Sequence, residues 1–240
     1  MERKPVAKIV LVAVLALGIS VLLLWGARAL ILEFAWSQWA NLPMATVVPE
    51  ELTDTGVDAG EGKALEAFGC RAETPYSELA RVEGTPAVAT FTISNGRKVV
   101  LTDPATTLDI RQAFLGQADD ERAREELVRV LGEEALASNH AFMTAVLKAT
   151  PEDGRRFDDE RRIILVGLKA ALAMNGETGI FSFEWPGLRG FQFGDPAKTN
   201  RVLVQAVDSK DRPLELFFVG ETEGFTQAEI NRVLSTFTRE

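Results

Sequence analysis

The sequence predicts an α+β protein in which an N-terminal transmembrane helix precedes one domain, a mainly antiparallel sheet of about six strands covered by helices. Three observations carry that expectation. Residues 9–27 hold no charge. Strand-like runs fall in hairpin pairs before and after a block of helical periodicity, without the βαβ alternation of a parallel sheet. Composition, at 46% hydrophobic and 25% charged residues, is that of a folded chain.

The run Ile9–Ala27, IVLVAVLALGISVLLLWGA, is diluted only by Gly18, Ser20 and Gly26. At about 1.5 Å per residue it makes roughly 28 Å of helix, close to the ~30 Å hydrocarbon thickness of a bilayer. Every helical face is apolar, which suits lipid and not water. Arg3, Lys4 and Lys8 precede the run, and after Arg28 no Lys or Arg occurs until Lys63. Positive charge stays inside, so residues 1–8 form a cytoplasmic tail and the rest of the chain lies outside. Trp25, Trp36 and Trp39 suit the membrane interface, and the helix with its interfacial extension covers residues 9–40. The lipid bilayer, through residues 9–27, is the first expected partner. A signal peptide cleaved near Ala27-Arg28-Ala29 competes with this reading, but the run exceeds the usual apolar core of about 7–15 residues and hydrophobic sequence resumes at Leu30-Ile31-Leu32.

The single cysteine, Cys70, excludes an internal disulfide, and no asparagine starts an N-x-S/T sequon. A bacterial inner membrane with the domain in the periplasm or outside the cell is the simplest location. The chain carries 26 Lys+Arg against 35 Asp+Glu, a net −9, of which residues 1–40 contribute +2 and the remainder −11. A body of that sign repels phosphate backbones, so nucleic acid is not an expected partner.

Residues 41–62, with two prolines, three glycines and no basic residue, read as a linker, which places the domain at 63–240. Short helical pieces are expected around Ala64–Phe68 and Tyr76–Val82. AVATFTISNGRKVVLT follows, two β-rich runs about Asn95-Gly96, a pair suited to the positive φ angles of a tight hairpin. A helix is expected after Asp119-Asp120-Glu121, with Ala123, Leu127, Val130 and Leu131 in its stripe. Ser138 caps another, in which Phe142 and Val146 face inward until Thr150-Pro151. A third follows Asp158-Asp159, where Arg161, Arg162 and Lys169 interrupt the apolar run too closely for a second span.

The last quarter reads as strand. Phe181, Phe183 and Trp185 alternate with Ser182 and Glu184, Pro186-Gly187 turns the chain into Leu188–Phe193, and RVLVQAV and LELFFV form an antiparallel pair. Thr226-Gln227-Ala228-Glu229 is a capping box with Phe225 placed to staple onto Ile230, ahead of Val233, Leu234 and Phe237 at helical spacing.

No pattern of catalysis stands out. One histidine, His140, and one cysteine exclude His-x-x-x-His zinc sites and soft metal ligation, so no metal or cofactor is expected. Ser138 lacks a nucleophile-elbow setting, and Gly187, Gly190 and Gly194 join strands instead of opening a helix. Glu184 alternates away from the aromatic face, toward water. The stretch 181–196, with five aromatics and three glycines, is the candidate interaction surface, and Trp185, Leu188, Arg189 and Phe191 are its candidate residues. The expected function is non-catalytic binding of an envelope protein, another envelope component or a second copy. The alternatives are an envelope hydrolase using carboxylates and a soluble domain released by cleavage.

Overall fold

A computed structural model describes residues 46–58, 60, 62–82, 85–107, 125, 128–150, 168, 169, 172, 173 and 178–240. In chain order the elements are β1 (Glu50–Glu51), β2 (Ala64–Ala67), β3 (Cys70–Glu73), β4 (Leu79–Val82), β5 (Val88–Ile93), β6 (Lys98–Thr102), α1 (Asn139–Lys148), β7 (Ile180–Trp185), β8 (Leu188–Phe193), β9 (Arg201–Asp208), β10 (Pro213–Val219), α2 (Gln227–Ser235) and β11 (Thr238–Arg239). Residues 128–131, 168, 169, 172 and 173 are also helical.

The fold differs from the expected one. Eight strands, not six, form one sheet in the order β1-β7-β8-β9-β10-β6-β5-β4, and a separate three-stranded sheet has the order β11-β3-β2. The large sheet is mixed, because β1 pairs in parallel with β7 while its other neighbours are antiparallel. Among the described residues no helix is long and apolar enough to cross a membrane. The span expected over residues 9–27 lies outside the described residues, as do Trp25, Trp36 and Trp39.

Among the described residues one face of the large sheet is covered along most of its width and the other over β7–β9. Val202, Val204 and Ala206 of β9 join a core beneath α2 and the small sheet, with Leu65, Cys70, Phe225 and Ile230. Leu203 and Val207, pointing the other way, join a core beneath α1 that includes Phe142, Val146, Leu168 and Leu172. A strand buried on both faces shows a nearly unbroken apolar run, as RVLVQAV does.

Of the helical pieces expected at Ala64–Phe68 and Tyr76–Val82, Ala64–Ala67 and Leu79–Val82 are strands instead. Ala, Leu and Glu favour helix locally, but Leu65 and Ala67 are buried while Glu66 between them is exposed, a period of two that packing on α2 enforces. Phe68 and Gly69, at φ 55° and 70°, turn β2 into β3. In the β5–β6 hairpin Asn95 and Gly96 adopt φ 64° and 71°, as such a pair permits, and the Ile93 N–H closes the loop onto the Arg97 carbonyl at 2.8 Å. The loop therefore holds one residue more than a two-residue turn.

The two helices obey their caps. Ser138 Oγ accepts from the Ala141 N–H at 3.0 Å. Thr226 and Glu229 form the reciprocal capping box of α2, with Phe225 and Ile230 buried together behind it. Residues 46–58, within the stretch read as a linker, lie along the domain: β1 pairs with β7, Val47 packs against one core and Leu52 against the other.

Candidate functional site

The aromatic stretch forms the β7–β8 hairpin, and its two faces diverge. Alternation directs Phe183, Trp185 and Leu188 toward α2, and Ser182, Glu184, Arg189 and Phe191 toward α1. β8 approaches β9 closely because residue 190 is glycine: a Cβ there would stand 2.3 Å from the Gln205 carbonyl oxygen and 2.5 Å from the Ala206 Cα.

α1 is set over this face by the β9–β10 turn. Asp211, at φ 60°, accepts from the Asn139 N–H at 2.7 Å and the His140 N–H at 3.4 Å, and its carbonyl accepts from the Asn139 side-chain amide at 3.0 Å. A carboxylate there satisfies free N–H groups of the first turn and complements the helix dipole. The consequence is position. The imidazole of His140 lies flat on the Phe191 ring, with centroids 5.6 Å apart and planes 12° from parallel. Arg189 Nη2 stands 3.9 Å from Asp211 Oδ1, leaving a half-exposed guanidinium beside that stack.

Between α1, the hairpin and residues 49–55 lies an open cleft of about 530 Å³, within the size range of ligand sites. His140, Thr144 and Lys148 form its helical wall, Ser182–Trp185 with Arg189 and Phe191 its floor, and Pro49, Glu51, Leu52 and Thr55 its third side. That third side is fastened down. The Leu52 N–H donates to the Ser182 carbonyl at 2.9 Å, and Asn231 Nδ2 donates to the carbonyls of Asp54 and Gly56 at 2.8 Å each. Gln227 Nε2 in turn donates to Asn231 Oδ1 at 3.0 Å and to Gln192 Oε1 at 2.9 Å, linking segment, helix and sheet in one partly buried polar chain.

Burial, and then the charge of Arg189, holds His140 below its ordinary pKa, against Asp211 and Glu184 acting in the opposite direction. The imidazole is therefore mainly neutral at pH 7, and among the described residues its ring nitrogens make no hydrogen bond. The indole N–H of Trp185 is buried and likewise finds no acceptor among the described residues.

Of the four candidate residues, Trp185 and Arg189 open onto this cleft, and Phe191, 1% exposed, lies beneath His140 at its base. Leu188 does neither: it is 2% exposed in the core on the opposite face. His140, Thr144, Lys148, Glu51 and Leu52 complete the cleft without any sequence signal, because α1 and residues 49–55 lie far from the hairpin along the chain. Among the described residues no three His, Cys, Asp or Glu side chains gather as a metal site. Compared with known proteins, the chain matches no family model, no curated protein and no solved structure.

Proposed function

We propose that the domain is a non-catalytic binding module of the cell envelope that receives a protein partner in this cleft, and that the uncharged run Ile9–Ala27 attaches it to a bilayer with the domain outside the cytoplasm. The observation that carries the binding reading is the convergence of Trp185, Arg189 and His140 on one open cleft, with the imidazole held flat on the buried Phe191 ring. Aromatic and arginine side chains at the centre of a contact surface are the groups that dominate protein interfaces. Attachment and orientation draw on the length of the run and on the basic residues ahead of it.

The test is co-purification of the full chain from detergent-solubilised envelopes, comparing wild type with Arg189→Glu and Lys148→Glu. Both side chains are solvent-accessible at the cleft, so both variants should stay folded, Arg189→Glu melting slightly earlier because its carboxylate stands opposite Glu184 and near Asp211, while recovery of the partner falls about tenfold or more. Equal recovery by all three proteins, or no stoichiometric partner for the wild type, would remove the reading. Protease added to intact spheroplasts should digest the domain; protection until lysis would reverse the orientation. A second reading, hydrolysis of a peptide or glycan by carboxylates, is favoured by Glu51 and Glu184 opening onto the same cleft. Turnover that Glu184→Gln abolishes would select it.

A further inference from the structure

The cleft runs along a sheet edge that β1 leaves half paired. β7 has six residues, and β1 pairs only with Phe181 and Ser182. The bond from the Leu52 N–H to the Ser182 carbonyl is the last of that ladder, and the chain then turns aside to Asp54 and Gly56, where Asn231 holds it. Main-chain groups alternate sides along a strand, so Glu184 presents its N–H and C=O on the same edge as Ser182, while Phe183 and Trp185 bond toward β8. Among the described residues nothing pairs with Glu184 on that edge, and the cleft lies alongside it.

We propose that this edge takes one extended segment of a partner protein, which adds as a short strand beside Phe183–Trp185. The inference rests on the cleft being a partner site and specifies the form of the partner. A main-chain donor and acceptor side by side on a strand edge match the complementary pair of another polypeptide, the basis of strand addition. Alternation then sets the pattern of the segment. Its residue opposite Glu184 projects toward the His140 and Arg189 side and is polar; the residues before and after it project toward Leu52, Phe183 and Trp185 and are apolar. A second copy of this chain is not the occupant, because antiparallel self-pairing about this edge would set Glu184 against Glu184, and like charges directly opposite are unfavourable.

Random dodecapeptides displayed on phage and panned against the full chain in detergent micelles should enrich apolar–polar–apolar triplets. An enriched peptide is then synthesised and titrated against three variants. Glu184→Pro removes the edge N–H, at a position where proline is compatible with a strand because that N–H lies outside the ladder. Glu184→Ala removes only the carboxylate, and Arg189→Glu alters the cleft but not the edge. Affinity should fall at least about tenfold for Glu184→Pro and less than about threefold for Glu184→Ala. Hydrogen exchange on the wild type should show the Glu184 amide gaining protection when peptide binds, a readout independent of how well the proline variant folds. Equal affinities for the two Glu184 variants with no gain in protection overturn strand addition. If Arg189→Glu nevertheless abolishes binding, the cleft remains a partner site and only the mode of binding is wrong. Peptides indifferent to all three variants, or no enrichment, overturn both.

Discussion

His140 shows how much of a residue's chemistry is set by what lies across from it. From the sequence it is the single histidine, near a helix start; in the fold it is a neutral ring stacked on Phe191 among Arg189, Asp211, Glu184 and Lys148. Its pKa is lower in the folded chain than in the unfolded one, so as pH falls through the ordinary histidine value the unfolded state takes up a proton that the folded state refuses. Stability contributed at neutral pH is lost over that window, until the lower folded pKa is passed. His140→Gln should remove this step, so its melting temperature should decline less than that of the wild type between about pH 7.5 and pH 5; parallel declines would show that the histidine does not contribute. Gly190 makes the opposite kind of demand, on space. Gly190→Ala places a methyl group against the backbone of β9, and denaturant titration should show a loss of about 1–3 kcal/mol.

Elements whose local chemistry and packing agree were legible, and those where the two conflict were not. α2 announced itself through Thr226, Glu229 and its apolar spacing, and α1 through Ser138 and Pro151. β2 looked helical because Ala, Leu and Glu are helix formers, and only burial of Leu65 and Ala67 on one side makes it a strand. β1 is two glutamates long, below any periodic signal, so neither the mixed sheet nor the third wall of the cleft could be read. The α2 cap also reaches beyond its own helix: the carboxylate of Glu229 meets Arg97 Nη1 at 3.2 Å, and that guanidinium lies 4.8 Å above the Tyr76 ring. Burial, with Glu229 adding to it, pushes the Tyr76 phenol well above its ordinary pKa. Thr226→Ala removes one capping bond and should cost about 1 kcal/mol. Glu229→Ala also strands a buried arginine and should cost about 3–5 kcal/mol, much of it regained in the double variant Arg97→Met/Glu229→Leu. Chemical denaturation of the four proteins decides; equal losses for Thr226→Ala and Glu229→Ala would deny the pair its role.

For the whole molecule, the defining property is a sheet with one continuous core beneath it, and Cys70 is enclosed where the small sheet meets the α2 part of that core. Burial raises the pKa of this thiol, Arg239 and Arg212 opposing. Its alkylation in native buffer should run at least about a hundredfold slower than in denaturant, and should accelerate at the same denaturant concentration that unfolds the chain. Labelling at the rate of a free thiol would reveal a domain that opens piecemeal. The two-glutamate strand has a mechanical counterpart. Tension applied at Thr46 meets the packing of Val47 and then β1, so that short parallel joint is loaded before the wide antiparallel ladders behind it. Asn231 and Leu52 lie next in line, so a tug that strips the joint reaches them before any antiparallel ladder, and at that stage the edge of β7 is laid bare with the strands behind it still paired.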